Sequence, residues 1–201
     1  MNIINHDCQQ YIADVHNDVT NIKLLRGIKK LTDLPLQKFN TDNSRNPTDT
    51  ARLLSNIIDN IYKQEFGIKF RSNNIVFCTG NYSFASGYGK VAVIFPIGKY
   101  DYLFSDKFND MSMYIDKVFA TVDMDHLCKK AGIAPDDQPD VEDAISDIIE
   151  YGDINPLVSY DVHHVINLVH KLLHYLLVTN GGLHFNNNLI DGIKSGNEIM
   201  I

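Results

Sequence analysis

The sequence predicts an α+β fold. Three features carry that prediction: β-branched and aromatic runs at residues 22–28, 75–79 and 91–97, apolar stripes at helical spacing over 50–66, 141–149 and 162–176, and a short apolar run at the C-terminus. Their order is strand, helix, two strands, a helical block and a final strand.

The first run, IKLLRGI over 22–28, is a mostly apolar strand interrupted by Arg26. Residues 29–48 are polar, hold Pro35 and Pro47, and read as a loop. Over 50–66, Leu53, Leu54, Ile57, Ile58, Ile61 and Phe66 recur with helical period, with Asn46, Thr48 or Asp49 as the candidate cap and Gly67 as the stop. Residues 75–79 and 91–97 read as buried strands, with a short helix over 82–88 between them. From Asp106 onward the pattern turns helical. Val141, Ala144, Ile145, Ile148 and Ile149 make one stripe, with acids on the opposite face. Pro139 suits a first helical position, and Asp140, Glu142 and Asp143 complement the helix dipole. Val162, Val165, Ile166, Val169, Leu172, Leu173 and Leu176 make a longer stripe that Asn180-Gly181-Gly182 ends. A last helical turn or two over 189–193 leads through Ser195-Gly196 into a terminal strand at 197–201. This order fits one domain over residues 1–201, with 106–182 as a mostly helical acidic insert.

Composition narrows the function classes. A hydrophobic share of 44% with 21% charged residues excludes a disordered or fibrous chain. The net charge of −7 argues against direct nucleic-acid binding through overall positive charge. Cys8, Cys78 and Cys128 are far apart and form no CxxC pair, which fits reduced thiols in a cytoplasmic setting and excludes a cysteine-rich zinc site. No secretory signal stands at the start of the sequence. The most apolar stretch, 162–178, carries His163, His164, Asn167, His170, Lys171 and His174, too polar for a bilayer, so no membrane partner is expected. Between Ala131 and His170 there are nine acids and no lysine or arginine, while the remaining residues hold 16 acids against 18 bases. That block reads as a solvated amphipathic helix or as a docking surface for a basic partner.

Several side-chain groupings are chemically informative. Arg26 inside an apolar strand needs an anion or water for its guanidinium, whose planar fork suits phosphate oxygens. Gly27 beside it lets a flat ligand approach the backbone. The plainer reading is an edge strand whose arginine snorkels. Phe77-Cys78-Thr79-Gly80 leads into a small-residue helix with Tyr82, Phe84 and Tyr88, where hydroxyls and ring faces converge; the plainer reading is a glycine-rich connection. Gly87-Tyr88-Gly89-Lys90-Val91-Ala92 matches GxGxxA only formally, because its glycines precede a strand instead of separating a strand from a helix. Glu198 opens the terminal strand, either as a poised carboxylate or as its wet end. His163, Asn167, His170 and His174 share one helix face. It reads as a polar face, since no HExxH or neighbouring ligand supports a metal site.

In combination these signals are more specific. An early Arg-Gly strand, an aromatic-x-Thr strand end before a small-residue helix, and a terminal N-E-I-M-I run together resemble the ADP-ribosyltransferase fold. The run R-S-x-x-x-V-F-C-T-G-x-x-x-x-A-x-x-Y-G-x-x-x-x-I-F-P-I-G over 71–98, with S-G-N-E-I-M-I at 195–201, is similar to small transferase-like proteins of tailed bacteriophages. The resemblance implies a split β-sheet clasping NAD⁺ as co-substrate. In that arrangement Arg26 holds the phosphate and ribose side, and Gly27 offers its backbone to the carboxamide. Thr79 orients the glutamate, Tyr88 stacks on the nicotinamide, and Glu198 is catalytic. It further implies a macromolecular acceptor, a host protein, in the host cytoplasm. Gly196 stands two residues before Glu198, where many side-chain-modifying members carry a glutamate or glutamine, so the acceptor residue stays open.

Overall fold

A computed structural model describes residues 2–30, 34, 36–38, 51–68, 75–154 and 161–201 of the chain. The candidate caps Asn46, Thr48 and Asp49, most of the 29–48 loop and Arg71 lie outside the described residues. Among the described residues there are six strands: β1 (Leu24–Ile28), β2 (Phe77–Thr79), β3 (Lys90–Ile94), β4 (Leu103–Ser105), β5 (Leu183–Phe185) and β6 (Glu198–Met200). They form one antiparallel sheet of order β3-β1-β2-β6-β4-β5. The helices, in chain order, are α1 (Asn2–Asp7), α2 (Gln9–Asp14), α3 (Arg52–Phe66), α4 (Tyr82–Ser86), α5 (Met111–Thr121), α6 (Met124–Ala131), α7 (Gln138–Tyr151), α8 (Val162–His174) and α9 (Leu189–Ser195). The architecture is therefore α+β.

The chain divides into two compact units. One comprises Met1–Thr41, Ile75–Asp110 and Leu183–Ile201, and holds every strand; the other comprises Asp42–Asn74 and Met111–Gly182. Residues 111–182 of the predicted 106–182 block thus share a unit with α3, which precedes them by three strands, while 106–110 belong to the strand-bearing unit.

In the strand-bearing unit, Leu24, Cys78, Ile94, Phe104 and Ile199 form one buried cluster with Cys8, Tyr11, Val15, Leu189 and Ile193, so α2 and α9 cover one sheet face. Burial pushes the Cys78 thiol up to about 12, with the charge of Arg26 pulling the other way. The Tyr11 hydroxyl donates to Ile22 O at 3.1 Å and ties α2 to the entry of β1. Sequence reading supplies neither α1 nor α2. At six residues each they have no full apolar stripe, and they are held by packing on the core, α1 through Ile4 and α2 through Tyr11 and its C-cap Val15. It also omits β4 and β5. Leu103, Phe104 and Ser105 are all buried, so β4 lacks the alternation that marks a half-buried strand.

In the helical unit the predicted stripes are the buried faces. Leu54, Ile57, Ile58 and Ile61 of α3, Val141, Ala144, Ile145 and Ile148 of α7, and Val165, Val169, Leu172 and Leu173 of α8 are buried. α8 packs on α3, α6 and α7. Gly67 and Gly152 end α3 and α7 in the left-handed conformation, at φ 75° and 83°. Asp161 caps α8 by accepting from His163 N and His164 N. α8 runs on into a π-helical turn at Tyr175–Thr179, before Asn180 and Gly181. Ile149 departs from its predicted stripe and is 48% exposed.

The histidines of α8 make separate contacts. His164 Nε2 lies 3.3 Å from Asp137, and His174 Nε2 lies 2.8 Å from Glu65 of α3. Among the described residues, no group of three or more histidine, cysteine or acidic side chains could hold a metal ion. His170 is half-buried, and its buried Nε2 has no hydrogen-bond partner among the described residues. Desolvation first, and the neighbouring His174 second, hold its imidazole below the ordinary 6.5. His170 lines a groove between α3 and α8 together with Asn60, Lys63 and Gln64 of α3 and Asn167 of α8. Because the folded value is the lower one, the unfolded chain takes up a proton below about pH 6.5 that the native protein refuses. The stability this group supports is complete above that pH and declines as pH falls. His170→Leu is expected to reduce the drop in melting temperature between about pH 7.5 and 5.5, read by circular dichroism. An unchanged drop contradicts the assignment.

Candidate active site

The site is built around a fork in the sheet. β1 pairs with β3 along its whole length, from Leu24↔Ile94 to Ile28↔Lys90. β2 pairs with β6 through Phe77↔Met200, Cys78↔Ile199 and Thr79↔Glu198. Between β1 and β2 the described residues share only the pair Leu25↔Thr79. Leu25, Thr79 and Glu198 therefore form one row across three adjacent strands, and beyond that row β1 and β2 part. The end positions of the row are two strand spacings apart, on the order of 10 Å.

Arg26 is the first residue past the row on β1. Its Nη1 donates to Phe77 O at 3.1 Å, a main-chain acceptor on the far side of the fork. β1 is an interior strand, between β3 and β2, so the snorkelling edge-strand reading of Arg26 does not hold. Strand alternation sets Arg26 on the face of Leu24 and Cys78, and Gly27 on the face of Leu25, Thr79 and Glu198. The five predicted residues thus do not share one face. Gly27, Thr79 and Glu198 do, while Arg26 enters at the fork itself.

Gly27 is a glycine because α4 sits against it. A Cβ there would lie 2.1 Å from Ala85 O and 2.7 Å from Tyr88 Cβ. Its bare Cα face is thus occupied by the protein's own backbone, in place of the ligand approach suggested by sequence. The same contact brings Tyr88 to the site. Its ring is 48% exposed and meets Phe84 edge-on at 5.6 Å. Gly89, at φ 136°, brings the chain back so closely to Ile28 O that a Cβ would come within 2.7 Å of it. The GxGxxA run is therefore the corner between α4 and β3 and binds no dinucleotide by a Rossmann turn.

Thr79 is 2% exposed and its hydroxyl both donates and accepts. It donates to Gly196 O at 2.7 Å and accepts from Asn81 N at 3.0 Å. A hydroxyl has one proton to give. Thr79 consequently fixes the backbone two residues before Glu198; the resemblance implies a hydroxyl that orients the glutamate, and here its proton goes to that main-chain carbonyl. Gly196, at φ 74°, caps α9 in the left-handed conformation, and its missing side chain faces Asn81. Asn81 in turn caps α4 by accepting from Phe84 N.

Glu198 sits on an interior strand, half-buried, between the buried Asn197 and Ile199. Its N–H donates to Asn109 O at 2.9 Å. The Asn197 amide donates to Ser105 O at 2.8 Å, while the Ser105 hydroxyl accepts from Lys107 N and Phe108 N. Asn81, Asn197 and Ser105 are the positioning residues that sequence reading missed. The capping rule for Asn81 was available, whereas Asn197 and Ser105 act through contacts distant in sequence. Among the described residues, no helix is long and apolar enough to cross a membrane. No family model, curated protein or solved structure matches the chain.

Proposed function

We propose that the chain is an ADP-ribosyltransferase-like enzyme that cleaves NAD⁺ and transfers ADP-ribose to a macromolecular acceptor. One observation carries the reading: Thr79 and Glu198 are direct cross-strand partners at the fork, where β1 stops pairing with β2 beside Arg26 and Gly27. A cation, an alcohol-anchored corner and a carboxylate from three adjacent strands suit a dinucleotide. Its reactive ribose meets Glu198 on one face of the sheet, and its phosphates reach Arg26, which belongs to the other face, through the opening where β1 and β2 stop pairing. Tyr88, exposed beside Gly27, supplies an aromatic surface for the nicotinamide.

The chemistry follows from these groups. Cleavage of the nicotinamide–ribose bond sends its electron pair to the ring nitrogen, which becomes neutral, and leaves oxocarbenium character on the sugar. The Glu198 carboxylate stabilises that charge and accepts from a ribose hydroxyl. The acceptor's nucleophile then bonds to the anomeric carbon and releases its proton to solvent or to a base. Chromatographic detection of nicotinamide during incubation of the protein with NAD⁺ and a bacterial lysate tests the reading. Release that exceeds a lysate-only control supports it. Release no faster than that control, together with no calorimetric NAD⁺ binding, rejects it.

A further inference from the structure

The helical unit has a groove of its own, about 450 Å³, lined by Asp116, Phe119 and Ala120 of α5, Met124 of α6, and Glu142, Ile145, Ser146, Ile149 and Glu150 of α7. On α7 these residues recur at i, i+3, i+4, i+7 and i+8, so one helix face forms a full wall. Phe119, Met124, Ile145 and Ile149 give an apolar bed, and Asp116, Glu142 and Glu150 give it an anionic rim. Ile149 is 48% exposed on that bed, an unusual position for isoleucine in a helix whose other isoleucines 145 and 148 are buried. The cations on these three helices are Lys117 of α5 and Lys129 and Lys130 in the last turn of α6, whereas α7 carries none.

We infer that this groove docks a basic amphipathic helix of a partner protein. An apolar row at i, i+3, i+4 and i+7 on the incoming helix covers Phe119, Met124, Ile145 and Ile149, as helices seat in grooves between helices. Lysines or arginines flanking that row meet Asp116, Glu142 and Glu150, which supplies orientation and a fast on-rate. Charge selects the occupant. A second copy of this chain brings net charge −7 and the same acidic face, and the rim repels nucleic acid and anionic lipid alike. The inference does not depend on NAD⁺ chemistry, since it uses none of the residues at the fork.

The test is fluorescence anisotropy with a labelled Leu/Lys amphipathic helical peptide as long as α7, against a Leu/Glu peptide of the same pattern. The Leu/Lys peptide is expected to bind in the micromolar range, with affinity falling as salt rises. Ile149→Asp and Glu142→Lys/Glu150→Lys are each expected to weaken it about tenfold or more. Asp136→Lys/Asp140→Lys changes net charge equally but away from the groove, and is expected to leave affinity within about twofold. Circular dichroism checks that each variant keeps its helix content. Absence of binding, equal binding of the Leu/Glu peptide, insensitivity to Ile149→Asp, or equal weakening by both charge pairs overturns the inference.

Discussion

Replacing Glu198 with glutamine is expected to slow nicotinamide release at saturating NAD⁺ by about 10²–10³-fold, the loss typical of removing one electrostatic stabiliser of a transition state. Glutamine keeps the shape and hydrogen-bonding capacity of the side chain and removes only the negative charge. NAD⁺ affinity should therefore stay close to that of the parent, because oxocarbenium charge develops only on the way to the transition state. Arg26→Ala should do the reverse, weakening NAD⁺ binding with a smaller effect on turnover at saturation. Thr79 lies between these cases. Its hydroxyl bonds Gly196 O and Asn81 N, so Thr79→Val disturbs the corner leading into Glu198, and Thr79→Ser, which restores both bonds, should restore the rate. Full turnover by Glu198→Gln contradicts the assigned role.

Gly27→Ala is expected to destabilise the strand-bearing unit by about 1–3 kcal/mol or more, the range for forcing atoms into a packed site. The added methyl would stand 2.1 Å from Ala85 O, a backbone atom that moves only if α4 moves. Gly87 is the control. Its backbone is right-handed helical, at φ −60° and ψ −23°, and the closest atom to an added Cβ is Phe84 O at 3.4 Å. Gly87→Ala should be neutral or stabilising by a few tenths of a kcal/mol, through loss of unfolded-chain entropy. Thermal melting compares the two, with about 2–4 °C expected for each kcal/mol in a chain of this size. Equal midpoints for both variants would contradict the packing of α4 on β1.

The elements legible in the sequence are those whose periodicity runs long enough to be read. The stripes of α3, α7 and α8 cover about two and a half turns or more, and Gly67 marks the end of α3 where predicted. β1 and β6 were legible as apolar runs, and the sheet carries Arg26, Thr79 and Glu198 on adjacent strands. Three-residue strands such as β4 and β5 offer no period, and α1 and α2 are held by tertiary contacts through Ile4, Tyr11 and Val15. Hydrogen-bond partners were the least legible. Nothing local reveals that Thr79 bonds Gly196, or that Asn197 reaches Ser105 across 92 positions. The facing of Arg26 likewise depends on the register Leu25↔Thr79, which pairing fixes and composition does not.

The central claim is that NAD⁺ occupies the fork between β1 and β2. An NMR titration of isotope-labelled protein with NAD⁺ tests it directly. NAD⁺ bound there gives saturable amide shifts that are largest at Gly27, Thr79 and Glu198 and are lost in Arg26→Ala. Shifts confined to α3, α7 and α8, or no shifts at millimolar NAD⁺, would contradict it.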